Sequence, residues 1–109
     1  MTLQIYTAQY EYEGANRFDI TVKTGVQMFA PTWDMVIDYK EGRIPKEEYT
    51  KQYYEKMRKS YTTHKDTWDW LLRQKEVVLV CFCKKGDFCH RYLLKDMLVK
   101  LGAVYIGEV

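Results

Sequence analysis

The residues best suited to chemistry lie close together in Cys83-Lys84-Lys85-Gly86-Asp87-Phe88-Cys89-His90-Arg91. A thiol at a helix start gains acidity and becomes nucleophilic. An imidazole such as His90 donates or accepts a proton near neutral pH. The Arg91 guanidinium is a planar fork matched to phosphate or carboxylate. Lys84 and Lys85 add positive charge, and Gly86 adds a flexible backbone. The loop therefore suits an anionic ligand, a reactive cysteine, or both. If the chain is an enzyme, Cys83 or Cys89 is the nucleophile and His90 the general acid/base. Adjacent helical residues point about 100° apart, so Cys83 is the better partner for His90.

Structural uses of the same residues stand beside these. Cys81 reads as a small buried hydrophobe, and Cys89 as a cap or packing residue. His90 also fits a hydrogen-bonded structural histidine, and Arg91 a salt bridge to Asp19 or Asp96. Zinc is the obvious rival, because Cys81, Cys83, Cys89 and His90 are four potential ligands. However, Cys81 and Cys83 share one strand, Cys89 and His90 are expected to diverge on a helix, and no standard structural-zinc spacing is present. The expectation is no metal and no cofactor. Cysteine phosphatases enclose five residues between cysteine and arginine. Here Cys83 and Arg91 enclose seven, so the ring of backbone amides would differ in size.

Several elements must position this loop. Residues 3–8 alternate as a first strand, and Phe18-Asp19-Ile20-Thr21-Val22 alternates as a second, ended by Gly25. Thr32 is an N-cap for a short helix that Gly42 stops, with Asp34 in its first turn. Pro45 opens a longer helix, on which Tyr49, Tyr53 and Met57 share one face. Thr63 and Asp66 have the spacing of a capping box for a helix holding Trp68, Leu71 and Leu72. Val77 to Cys83 is a continuous apolar run, read as a strand buried on both faces. Leu93, Leu94, Met97, Leu98 and Leu101 form a helical stripe that Gly102 terminates, and Ala103 to Ile106 is a last strand. Strand, helix and strand in succession predict a parallel crossover. The fold class is α/β: a small, mainly parallel sheet of about four strands flanked by helices, a Rossmann-like sandwich.

The chain has 109 residues, 47% of them apolar, which fits a single domain over 1–109. Net charge is +2, too balanced for strong binding to nucleic acid or to a membrane surface. No apolar run approaches the roughly 18 residues of a membrane span, and the N-terminus lacks the pattern of a signal peptide. Three clustered cysteines are unlike a secreted disulfide framework and predict free thiols in the cytoplasm. Ten tyrosines and three tryptophans can fill a core or offer flat faces to a ring-bearing ligand. A homodimer is expected if these aromatic faces exceed what one small core hides.

Taken together, these blocks resemble the family of domain of unknown function 488, especially its short phage and bacterial versions. The resemblance rests on Val80-Cys81-Phe82-Cys83, then Gly86, then Cys89-His90-Arg91 opening a leucine-rich helix. It is supported by Asp19-Ile20-Thr21-Val22-Lys23, Phe29-Ala30-Pro31-Thr32-Trp33 and the closing Gly107-Glu108. It implies a compact α/β fold and draws Asp19, Thr21, Lys23 and Trp33 toward the cysteine loop. The expected site then holds Gly86, Cys89, His90 and Arg91 with those four residues. Such a site fits a phosphorylated, nucleotide-like small molecule, with phosphate on Arg91 and the ring against Trp33, Tyr10, Tyr12, Tyr49 or Tyr53. In a phage setting, the ligand would be a host signalling nucleotide held out of use. The alternative is a cysteine-dependent hydrolase or transferase acting on the same ligand class.

Overall fold

The computed structural model describes residues 2–82 and 88–109. Cys83, Lys84, Lys85 and Gly86, all expected at the site, lie outside the described residues. The strands are β1 (Gln4–Gln9), β2 (Arg17–Asp19), β3 (Glu76–Cys81) and β4 (Val104–Glu108), and the helices are α1 (Trp33–Lys40), α2 (Lys46–Thr63), α3 (Lys65–Leu72) and α4 (His90–Lys100). The strands form one sheet in the order β2-β3-β1-β4, and every pairing is parallel. The expected α/β class and parallel sheet are therefore present.

β3 is buried from Val77 to Cys81, as its unbroken apolar run requires. Pleating sends alternate side chains to opposite faces. Val77, Leu79 and Cys81 join the main core, which also collects Ile5, Tyr53, Trp68, Leu94 and Leu98. Val78 and Val80 join Ala8 on the other face, beneath Tyr6 and Tyr12. Gly102 follows α4 with φ of 111°, a left-handed conformation that glycine adopts without steric cost. Its neighbour Ala103 donates its N–H back to the Leu98 carbonyl at 3.0 Å, and this reversal aims β4 at the sheet.

Two local expectations need correction. The second strand ends at Asp19 instead of continuing to Val22. Asp19 Oδ1 accepts the Thr21 N–H at 2.8 Å, which diverts the backbone into a turn, a local competition typical of aspartate. The capping box at Thr63 is also absent. Thr63 is the last residue of α2, and His64 precedes α3 without a side-chain cap. The N-cap at Thr32 does form, its hydroxyl accepting the Met35 N–H at 3.2 Å.

Candidate functional site

A cleft of about 600 Å³ lies at the carboxyl end of β3, where ligands bind in open α/β sheets. Its size falls within the ~300–1,000 Å³ common for small-molecule sites. Five segments line it: the turn after β2 with Thr21, Val22 and Lys23, the start and one face of α1, the first turn of α2 through Tyr49, the end of β3 with Cys81 and Phe82, and the segment from Phe88 into α4. Of the expected residues, Thr21, Lys23, Trp33, Cys89 and His90 are brought together there.

Asp19 and Arg91 are not among its lining residues. Asp19 instead builds the turn, accepting from the Thr21 backbone and from the Thr24 hydroxyl at 2.6 Å. Burial works to raise its pKa, but the hydrogen bonds from Thr24 and Thr21 prevail and hold it below the ordinary value. Gly25 lets this turn close. A Cβ there would lie 2.4 Å from the Thr21 nitrogen and 2.6 Å from the Asp19 carbonyl oxygen.

Arg91 corrects the expectation of a ligand clamp. It is wholly buried, at 0% exposure, and its Nη2 donates to Glu108 Oε2 at 2.9 Å and to the Tyr92 hydroxyl at 3.0 Å. Its Nη1 donates to Cys81 Sγ at 3.2 Å. The acid partner is therefore Glu108 of β4, and neither Asp19 nor Asp96. Burial works to raise the Glu108 pKa, yet hydrogen bonds from Thr7 and Arg91 and the nearby guanidinium charge leave it below the usual range. In this arrangement Arg91 supports the cysteine from behind the cleft.

The cysteines also depart from expectation. Cys81 and Cys89 are joined through their sulfurs, where free thiols were expected. Cys89 and His90 do not diverge. Cys89 is the N-cap of α4, with extended φ and ψ of −155° and 147°, so the helical 100° rule does not govern it. Its Sγ lies 3.8 Å from His90 Nδ1. His90 Nε2 lies 2.7 Å from the Ile20 carbonyl oxygen. A carbonyl only accepts, so Nε2 carries the proton and Nδ1 of the neutral ring is bare toward Cys89. Burial is the main force pushing the His90 pKa down to about 4; the charges of Arg91 and Lys56 add to it, while the Ile20 hydrogen bond and Asp19 oppose it.

Sequence reasoning missed much of the aromatic wall. Tyr39 lies 5.4 Å from Tyr49 and 5.3 Å from Phe88, ring centre to ring centre, and Tyr49 lies 5.4 Å from Phe88. All three line the cleft together with Val36 and Lys40. Helical spacing carried the signal, since Trp33, Val36 and Lys40 recur at i, i+3 and i+7 along α1. Of the four expected tyrosines, Tyr49 is at the cleft. Tyr53 is buried and donates its hydroxyl to the Phe29 carbonyl at 2.7 Å. Tyr10 stacks on Phe82 at 4.2 Å, and Tyr12 covers the second small core.

Among the described residues, no helix is long and apolar enough to cross a membrane. No curated protein and no solved structure matches the chain. A family model described as the active DUF488-N3 subclade does match, over residues 1–102, and the chain therefore belongs to the family of domain of unknown function 488.

Proposed function

We propose that the cleft binds a phosphorylated, ring-bearing small molecule of the nucleotide class. The observation that carries this reading is the combination of aromatic side chains and cations lining one cleft. Trp33, Tyr39, Tyr49 and Phe88 line the cleft, and Lys23 and Lys40 supply the positive charge. Stacking on such rings contributes about 1–3 kcal/mol per base. The two lysines take over the anion-binding role first expected of Arg91. Tight binding without turnover would sequester the ligand, and a signalling nucleotide of a phage host fits that role.

A catalytic reading has its own support. The matching subclade is described as active, and with the cysteines reduced, the bare Nδ1 of His90 is placed to receive the Cys89 proton. The substrate class would be the same.

A thermal-shift screen of mono- and dinucleotides tests both readings. A ligand at 100 times its Kd raises stability by about 2.7 kcal/mol. The shift should vanish in Trp33→Ala and in the double variant Lys23→Ala/Lys40→Ala. Absence of any shift across the panel would overturn the proposal. Recovery of the ligand unchanged marks a binder, and recovery altered marks an enzyme.

A further inference from the structure

We infer that Cys81, Cys89 and His90 form a binding site for a soft divalent cation of the zinc class, with an open coordination position facing the cleft. The two sulfurs and a ring nitrogen lie within 4.8 Å of one another, and all three residues are buried. Two thiolates and one neutral imidazole suit zinc, and three protein ligands among the described residues, with one open position, are the pattern of a catalytic rather than a structural zinc. No residue of this set is redundant with the lysines and rings of the cleft, so the site goes beyond the proposed nucleotide binding.

The surroundings are those of a metal site. Metal-bound histidines usually donate their second ring N–H to a carbonyl or carboxylate, which fixes the tautomer. His90 Nε2 does this to the Ile20 carbonyl at 2.7 Å, leaving Nδ1 beside Cys89 Sγ at 3.8 Å. Arg91 donates to Cys81 Sγ at 3.2 Å and supports a thiolate there. Charges also balance: two thiolates neutralise a dication, and Arg91 is already paired with Glu108. The Cα atoms of Cys81 and Cys89 are 7.8 Å apart, beyond the roughly 4.4–6.8 Å that a disulfide spans. Two metal–sulfur bonds of about 2.3 Å in tetrahedral geometry hold their sulfurs about 3.8 Å apart, which suits that wider spacing. All three residues line the cleft, so the remaining position opens to it. Water or an anionic group of the bound molecule would fill that position.

The disulfide and the metal site are alternative states of the same two sulfurs. A phosphine supplies two electrons as the disulfide takes up two protons and becomes two thiols. Metal binding then releases those two protons.

The test uses the full chain, reduced with a phosphine, treated with a chelator, exchanged into chelator-free buffer and titrated with cobalt(II) without oxygen. The expected result is one cobalt per chain, an intense thiolate-to-cobalt charge-transfer band and the strong visible bands of a four-coordinate ion, all lost on adding zinc. Cys89→Ser should reduce the charge-transfer intensity by about half and weaken binding by at least the roughly 10- to 100-fold that loss of an outer partner costs. Azide should shift the visible bands by entering the open position. Absence of the charge-transfer band in the folded, reduced wild-type chain would overturn the inference, as would a band indifferent to Cys89→Ser. Visible bands unmoved by azide would overturn the open position. Cobalt binding is measured with no nucleotide present, so its failure is separate from failure of the thermal-shift screen.

Discussion

At the scale of single residues, Arg91 and His90 show how burial reassigns chemistry. The sequence places an arginine at a helix start, where an anion clamp is the natural reading. The partner that removes it from that role, Glu108, is 17 residues away and reaches it only because β4 returns beside β1. Arg91→Ala takes from the half-buried Glu108 carboxylate its ion-pair partner, leaving it the Tyr92 hydroxyl at 3.1 Å, and is expected to destabilise the fold by about 3 kcal/mol, read from urea unfolding. A ligand-binding arginine on the surface would instead cost little stability, within about 0.5 kcal/mol. His90 gives a pH signature in the metal-free chain with Cys81 and Cys89 joined. Its folded pKa of about 4 lies below the ordinary 6.5, so the unfolded state binds the extra proton first. Stability is therefore full above pH 6.5 and declines as pH falls toward 4, by up to about 3 kcal/mol from this residue. Asp19 and Glu108, whose folded pKa values are also depressed, lose stabilisation on acidification as well, at and below the ordinary carboxylate range. Comparison with His90→Gln isolates the histidine, since the variant should lose most of the decline between pH 6.5 and 4.5. An unchanged pH profile in that variant would show that His90 is not the group responsible.

At the scale of elements, the buried strand, α4 with its glycine stop, α1 with its Thr32 cap and the aromatic face of α2 were legible because period and cap residues encode them directly. What escaped was decided by contacts between local alternatives. Phe18, Ile20 and Val22 alternate as a strand should, but the Asp19 carboxylate captures the Thr21 N–H and converts the rest into a turn. The turn matters because it carries Thr21 and Lys23 to the cleft. Gly25→Ala tests its importance: the new Cβ meets backbone atoms of Thr21 and Asp19 at 2.4 and 2.6 Å, which cannot rotate aside. The variant is expected to lose about 1–3 kcal/mol of stability, the usual cost of overpacking. It should also bind the nucleotide-class ligand more weakly than Thr24→Ala, which removes that hydroxyl's hydrogen bonds with Asp19, Thr21 and Tyr10 without forcing the backbone. Equal affinities in the two variants would show that the turn does not shape the cleft. Cys89 does cap α4, as one of its expected uses, but the expected divergence of Cys89 and His90 failed for a related reason. Helical geometry begins only after the cap, so a residue one position before α4 is free to face the strand, and no spacing rule reveals that.

At the scale of the whole molecule, the question left open by composition is where so many aromatic side chains go. Sequence alone offers a core or a ligand wall, and the fold divides them. Trp68 is fully buried, with its indole N–H on Ser60 Oγ at 3.0 Å and its ring 4.9 Å from Phe29. Trp33, 52% exposed, stands at the cleft. The two tryptophans thus offer one experiment on opposite sides of that division. Trp68→Ala empties the junction of α2, α3 and the Phe29 segment and should cost about 3–5 kcal/mol. Trp33→Ala should leave stability within about 0.5 kcal/mol, because little surface is lost from the core. If the proposed reading holds, ligand response should follow the reverse pattern. Trp33→Ala would melt as the wild type does yet gain nothing from ligand, whereas Trp68→Ala, at a temperature where it is still folded, would keep its ligand response. A Trp33→Ala protein that still responds fully would remove the aromatic wall from the recognition mechanism. The cleft would then be left with its two lysines and the cysteine–histidine cluster as the groups to which binding must be traced.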